Sequence, residues 1–313
     1  MTALVEVVRS GFTESVHHGS VVVTAPDGTV RASLGDVDEP MYPRSSNKPL
    51  QALGMLRAGL DVADDDLALV CASHNGEPEH VERALTLLAK AGLDSGALHC
   101  PPDTPRDEPA AERRRAAMNC SGKHAGMLST CVSAGWPTAT YTDPDHALQR
   151  VIAETVSDVV GEPIAWTGVD GCGAPLLAYS LTGLARAFGR MTAADSGDLR
   201  RVADAMRAHP WLVAGTGRED TVLMEAVPGL LMKGGAEGVH AFALADGTAV
   251  ALKVADGNAR AREPILVETL RLLGATPAGD AVERMAVGAG AVTGAGRDVG
   301  SLRVTSALAD ALR

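Results

Sequence analysis

Short β-rich runs stand at both ends of this chain and the long middle carries helical periodicity, an arrangement open to few folds. Leu4 to Arg9, Ser20 to Thr24 and Thr29 to Leu34 read as strands, with Pro26-Asp27-Gly28 as a hairpin turn between the last two. A second hairpin is expected far downstream, where Val239 to Leu244 and Ala249 to Val254 flank Asp246-Gly247, and Leu302 to Thr305 offers another strand. Between the ends, apolar residues recur with helical spacing over Leu50 to Leu60, Glu79 to Ala91, His124 to Ser133, Ala147 to Val160, Ala174 to Phe188 and Leu199 to Ala208. The expectation is a single α+β unit over residues 1–313, an antiparallel sheet built from both chain ends with helices packed on it. Gly92 to Glu112, rich in proline and charge, is the surface loop best suited to frame a site.

Composition narrows the chemistry. Hydrophobic residues make up 46% of the chain but aromatics only 3%, so the core is filled mainly by Ala, Val and Leu, and 34 glycines suggest close backbone approaches. With a net charge of −11 and no basic run longer than Arg113-Arg114-Arg115, nucleic acid is excluded as a partner. No apolar run approaches the roughly 20 residues of a membrane span, and Met1 to Ser10 lacks a secretory pattern. A cytoplasmic protein is therefore expected. Its odd set of cysteines, Cys71, Cys100, Cys120, Cys131 and Cys172, reads as free thiols or ligands, not a disulfide framework.

Ser45-x-x-Lys48 lies across a helix start, with Pro49 in the first turn, and this spacing places a hydroxyl and an amine on one helical face. A serine attacks only when a neighbour accepts its proton, and a lysine does so only if its pKa, ordinarily about 10.4, is lowered by burial or nearby positive charge. Ser46, two residues from Lys48, points elsewhere, so Ser45 is the preferred nucleophile; the competing reading is a serine cap beside a solvated lysine. Serine acyl-enzymes of the β-lactamase and penicillin-binding kind carry SxxK, SxN and K-[ST]-G in that order. Here the order is Ser45-x-x-Lys48, Ser73-His74-Asn75 and Lys233-Gly234-Gly235, with Gly where the third element expects a hydroxyl.

Six segments together resemble the asparaginase II family, the rhizobial-type L-asparaginases, which are unrelated to the bacterial type I/II and plant-type enzymes. They are Arg44-Ser45-Ser46-Asn47-Lys48-Pro49, Cys71 to Glu77, Asn119 to Met127, Gly168 to Pro175, Gly215 to Arg218 and Lys233 to Gly238. The resemblance implies a fold similar to serine β-lactamases and glutaminases, with two Ser-Lys pairs, Ser45 with Lys48 and Ser73 with Lys233. It also implies a zinc site at Cys120, Lys123 and Cys172, which spacing alone does not suggest, because a lysine must lose its proton to bind metal. Asn47, His74, Asp170 and Arg218 are then candidate substrate contacts: Asp170 for an α-amino group, Arg218 for a carboxylate through a bidentate fork. Arg218 reads equally as an ion-pair partner of Glu219 or Asp220, and His74 and His124 read also as structural histidines. The expected activity is hydrolysis of L-asparagine by a homodimer. A glutaminase, a penicillin-binding enzyme and a non-catalytic zinc protein are the alternatives, since one methylene is worth only about 1–3 kcal/mol of discrimination.

Overall fold

The computed structural model describes residues 2–313. Its internal contacts group into two compact units, both assembled from discontinuous segments.

The first unit takes in the chain up to Ser46 together with Ser180–Gly189 and Val222–Arg313. Among the described residues it holds a seven-stranded antiparallel sheet. Six strands run across it in the order Gly300–Val304, Thr2–Arg9, Phe12–Thr24, Ala249–Val254, Val239–Ala243, Leu231–Gly234, and Val30–Leu34 pairs with Phe12–Thr24. Strands from the two ends do meet: Val5 opposes Val304, and Val22 opposes Ala251. Phe12–Thr24 is longer than its apolar half suggests, because its first residues pair with Thr2–Arg9 before Ala249–Val254 joins at Gly19, and they are largely exposed. The central strands, Val239-His-Ala-Phe-Ala243 and Ala249-Val-Ala-Leu-Lys-Val254, are buried almost throughout, so both sheet faces are covered and no alternation survives in the sequence. Alanines on these strands admit close packing: a Cβ on Gly189 would lie 3.0 Å from the Gly247 carbonyl and 3.5 Å from the Ala249 methyl.

The second unit comprises Asn47–Tyr179 and Arg190–Thr221 and is mainly helical. At its centre Ser121–Ala134 is buried from Ser121 to Cys131, all round the helix. Two glycines let it press against Asp64–Val70. A Cβ at Gly122 would meet the Leu69 carbonyl at 2.5 Å, and one at Gly126 would meet Val70 Cγ2 at 2.7 Å. Substitution there would push apart two helices whose buried leucines each contribute about 1.5–3 kcal/mol.

One helix expected from the sequence forms only in its second half. Over Ala174 to Phe188 the structure has a strand, Pro175–Ser180, followed by the helix Leu181–Ala193. The strand is wholly buried and pairs antiparallel with Trp166–Val169 across the turn Asp170–Gly173. A short apolar run buried on both faces carries no period, and the pairing partner decides between strand and helix. Ala147–Val160 matches its expected bounds. Among the described residues no helix is long and apolar enough to cross a membrane.

Candidate active site

Three lysines are fully buried: Lys48 and Lys123 at 1% exposure and Lys233 at 0%. Burying an ammonium is costly unless every proton finds an acceptor, so the partners of each lysine indicate what it is for.

Lys48 opens the helix Lys48–Arg57, directly after a 3-10 turn, Arg44–Asn47. Its Nζ donates to the Ala72 carbonyl at 2.5 Å, to Ser73 Oγ at 2.9 Å and to the Asn119 carbonyl at 3.4 Å. All three acceptors are formally neutral, and only the hydroxyl can return a proton. The sequence reading paired Ser73 with Lys233; within its own unit, Ser73 is the hydroxyl partner of Lys48. Its segment is held as a strand-like ladder, with Ser73 N–H donating to the Val213 carbonyl and Asn75 N–H to the Ala214 carbonyl, both at 2.9 Å.

Ser45 is half-buried in the 3-10 turn and follows Arg44, whose φ is +53°. A non-glycine residue in the left-handed region is strained, and such strain gathers at functional sites. Ser46 is fully buried and donates to the Lys233 carbonyl at 3.1 Å. Lys233 sits on the sheet-edge strand Leu231–Gly234, and its Nζ donates to the Gly234 carbonyl at 2.7 Å. Asn47 accepts from the buried Tyr179 hydroxyl at 2.8 Å, and its own amide Nδ2 has no hydrogen-bond partner among the described residues.

The proposed zinc residues come together in the second unit. Cys120 precedes the buried central helix, Lys123 lies in its first turn, and Cys172 sits in the turn between Trp166–Val169 and Pro175–Ser180. Lys123 Nζ donates to Cys172 Sγ at 3.1 Å, and Cys120 Sγ lies 3.0 Å from Asn119 Oδ1. A hydrogen bond from Cys120, with help from Lys123, holds the Cys172 thiol far below its ordinary range despite burial, so Cys172 is the thiolate of the pair. The same hydrogen bond and burial push Cys120 up. Burial lowers Lys123, but the charges of Cys172, Cys120 and Asp170 together with the Cys172 hydrogen bond outweigh it and raise the amine. All five cysteines are buried, and none is in a disulfide among the described residues. Among the described residues, no group of three or more His, Cys, Asp or Glu side chains is arranged for a metal; the set here is two sulfurs and an amine. Two soft sulfurs around a buried positive charge match the donor chemistry of a thiophilic cation, with the ammonium standing where a metal ion would compensate the thiolates.

Both expected histidines are hydrogen-bonded within the protein. His74 Nδ1 accepts from the Gly76 N–H at 3.0 Å and its Nε2 lies 3.0 Å from Ser121 Oγ, which donates to the Ala116 carbonyl, so the ring carries its proton on Nε2. Burial, then the charges of His80, Lys48 and Arg218, hold it well below the ordinary histidine range. His124 is held by the Tyr141 hydroxyl at 2.7 Å, and burial lowers it to about 4. Asp170 is half-buried and caps the turn through the Gly171 N–H at 2.9 Å.

Arg218 shows both sides of its sequence reading. Its Nε meets Glu219 at 3.4 Å, while one terminal nitrogen donates to the Ser73 carbonyl at 3.1 Å and to Asn75 Oδ1 at 3.3 Å. It lines a cavity of about 260 Å³ with His74, Asn75, Asp103, Arg106 and Asn119. Asp103 and Arg106 belong to the loop expected to frame a site. Sequence reasoning missed Asn119, whose carbonyl helps hold Lys48, and Glu77, which binds the loop carrying Arg218; nothing but their place inside the quoted motifs marked them. A larger groove of about 680 Å³, along Pro78–Lys90, contains none of the expected site residues.

The chain matches the family model for L-asparaginase II over residues 5–304. Among solved structures it is similar to Mglu in its native form, at 12% identity over 78% of this chain and 62% of that one, with a TM-score of 0.44. It thus spans less than two thirds of that protein. A β-lactamase from Mycobacterium bovis matches at 15% identity over 80% and 94% of the two chains, TM-score 0.38. EstCE1, a hydrolase with promiscuous acyltransferase activity, matches at 14% identity over 81% and 88%, TM-score 0.37. No curated protein matches the chain.

Proposed function

The chain belongs to the L-asparaginase II family, and from that premise we propose that it hydrolyses the side-chain amide of L-asparagine to aspartate and ammonia through an acyl-enzyme on Ser45. The observation that carries the proposal is the buried Lys48 amine, anchored by the Ala72 and Asn119 carbonyls and hydrogen-bonded to the Ser73 hydroxyl.

An amine held this way is aimed at the Ser73 hydroxyl by its own partners and acts as a base once it has given up a proton. Ser45 is tethered three residues from it by the chain. In the first step Ser45 Oγ attacks the amide carbon and its proton passes to Lys48, with Ser73 as the hydroxyl that relays it. Lys48 then returns that proton, through Ser73, to the departing nitrogen; the C–N bond breaks and ammonia leaves. Water attacks the ester in the second half-reaction, giving its proton to the same pair, and Ser45 recovers it as aspartate leaves. Backbone amides are assigned the oxyanion, Lys233 the second amine, Arg218 the α-carboxylate and Asp170 the α-ammonium. His74 has no proton to accept or release in this scheme; its tautomer holds the loop that carries Ser73.

Cys120, Lys123 and Cys172 are the residues that would hold zinc, whose contribution when bound is a fixed positive charge that orients substrate. The nucleophile does not depend on it. The test is ammonia release from asparagine, glutamine and, by ring opening, a β-lactam. Turnover of asparagine above glutamine supports the proposal, and preference for glutamine replaces it with a glutaminase.

A further inference from the structure

Glu77 stands at the end of the ladder that carries Ser73 and is absent from the mechanism above. One carboxylate oxygen accepts from the Thr216 N–H at 2.8 Å and from Asn75 Nδ2 at 3.2 Å, and the other accepts from Thr216 Oγ1 at 2.8 Å. Asn75 Nδ2 also donates to the Thr216 carbonyl at 3.0 Å, and Trp211 Nε1 donates to Thr216 Oγ1 at 3.0 Å. The side chain therefore ties Gly215-Thr216-Gly217-Arg218 to Ser73-His74-Asn75. The tie is tight: Gly215 has φ +111°, and a Cβ there would lie 2.6 Å from the Glu77 carboxylate and 2.7 Å from Asn75 Nδ2. Trp211 stacks on His80 at 4.2 Å between ring centroids, and His80 on His74 at 4.9 Å, so the same region is braced from the other side. Burial raises the Glu77 pKa, but the donors from Thr216 and Asn75 more than offset it and keep the carboxyl below its ordinary range.

Thr216 is two residues from Arg218, and Asn75 Oδ1 is one of the acceptors of the Arg218 guanidinium. We propose that Glu77 is a positioning residue for substrate recognition: by clamping Thr216 and Asn75 it fixes the Arg218 guanidinium beside the Ser73 carbonyl. This rests on the assignment of Arg218 to the substrate carboxylate. A group that acts through a binding contact affects the Michaelis complex and the transition state alike, so its loss raises KM and spares kcat.

The experiment is steady-state ammonia release from asparagine by the full chain and by Glu77→Ala, Glu77→Gln and Thr216→Val, with a thermal melt of each. A charge-assisted clamp predicts KM up by about tenfold or more in Glu77→Ala, with kcat within about threefold. Glu77→Gln, which keeps an acceptor for the Thr216 N–H, falls between wild type and Ala, and Thr216→Val, which loses only the hydroxyl, also raises KM. Should Glu77→Ala not fold, the other two variants carry the same comparison. Folded variants with unchanged KM, or with kcat lost at constant KM as a merely structural role gives, overturn the proposal alone. A wild type that releases no ammonia from asparagine overturns the functional reading and this proposal with it.

Discussion

Two buried lysines in the same helical unit differ in a way that separates chemistry from structure. Lys48 is surrounded by two carbonyls and a hydroxyl, and none of these bears a charge. Lys123 instead points its ammonium at the Cys172 thiolate, and the charge of each stabilises the other. The Cys172 thiolate compensates the charge of Lys123, whereas the partners of Lys48 carry no charge to do so. The proposed mechanism gives proton transfer to Lys48, while Lys123 compensates the charge of Cys172.

The sharpest way to break this comparison is to fix the charge on each lysine. Lys48→Arg keeps the cation but cannot release a proton at accessible pH. Its kcat/KM in the ammonia assay is expected to fall by about 10²–10⁴-fold, the usual contribution of a positioned acid-base group. An active Lys48→Arg enzyme would return Lys48 to a structural role.

At the sulfur centre the expected damage is to stability and metal content, with kcat less affected. Cys172→Ser removes the thiolate that compensates Lys123, and leaving a buried charge unpaired costs about 3–5 kcal/mol. Chemical denaturation reads that loss, and elemental analysis reads zinc, expected at substoichiometric to stoichiometric levels in wild type purified without chelator and lower in the variant. Unchanged stability together with a metal-free wild type would show that the cluster neither pairs nor binds.

The smallest effect concerns His74, which links the two centres through Ser121. Its folded pKa lies well below the ordinary value of 6.5, so below that pH the unfolded chain binds a proton that the folded one refuses. Its contribution is fully present above pH 6.5 and is lost as pH falls toward the depressed folded value. His74→Gln should therefore flatten the acid limb of the stability profile by about 1.4 kcal/mol per pH unit. Denaturation midpoints with the same acid slope in both proteins would remove His74 as the titrating group.

The frame of the molecule was legible in the sequence to the extent that its cause is local. Ala147–Val160 carries its own apolar stripe and closes on Gly161 at φ +80°, so its ends can be read without tertiary context. Strands at both termini could be seen because hairpin turns mark them. Pro175–Ser180 could not, since its partner Trp166–Val169 decides its state and an unbroken apolar run has no period of its own. The site divides the same way. Ser45-x-x-Lys48 is a local spacing and stood out, and Cys120, Lys123 and Cys172 came only through the family resemblance. That Lys48 turns to Ser73, or that Glu77 clamps Thr216 across 139 positions, depends on contacts that no spacing encodes.

The central claim, that Ser45 is the nucleophile and Ser73 the relay to Lys48, is tested most directly by measuring ammonia release from asparagine with Ser45→Ala and Ser73→Ala side by side, each shown to be folded by circular dichroism. The account predicts that Ser45→Ala loses on the order of 10⁴-fold or more in turnover, as removal of a catalytic serine does, and that Ser73→Ala keeps a measurable residue of activity. A folded Ser45→Ala protein with wild-type-like rates beside an inactive Ser73→Ala would contradict it and make Ser73, already bonded to Lys48, the nucleophile.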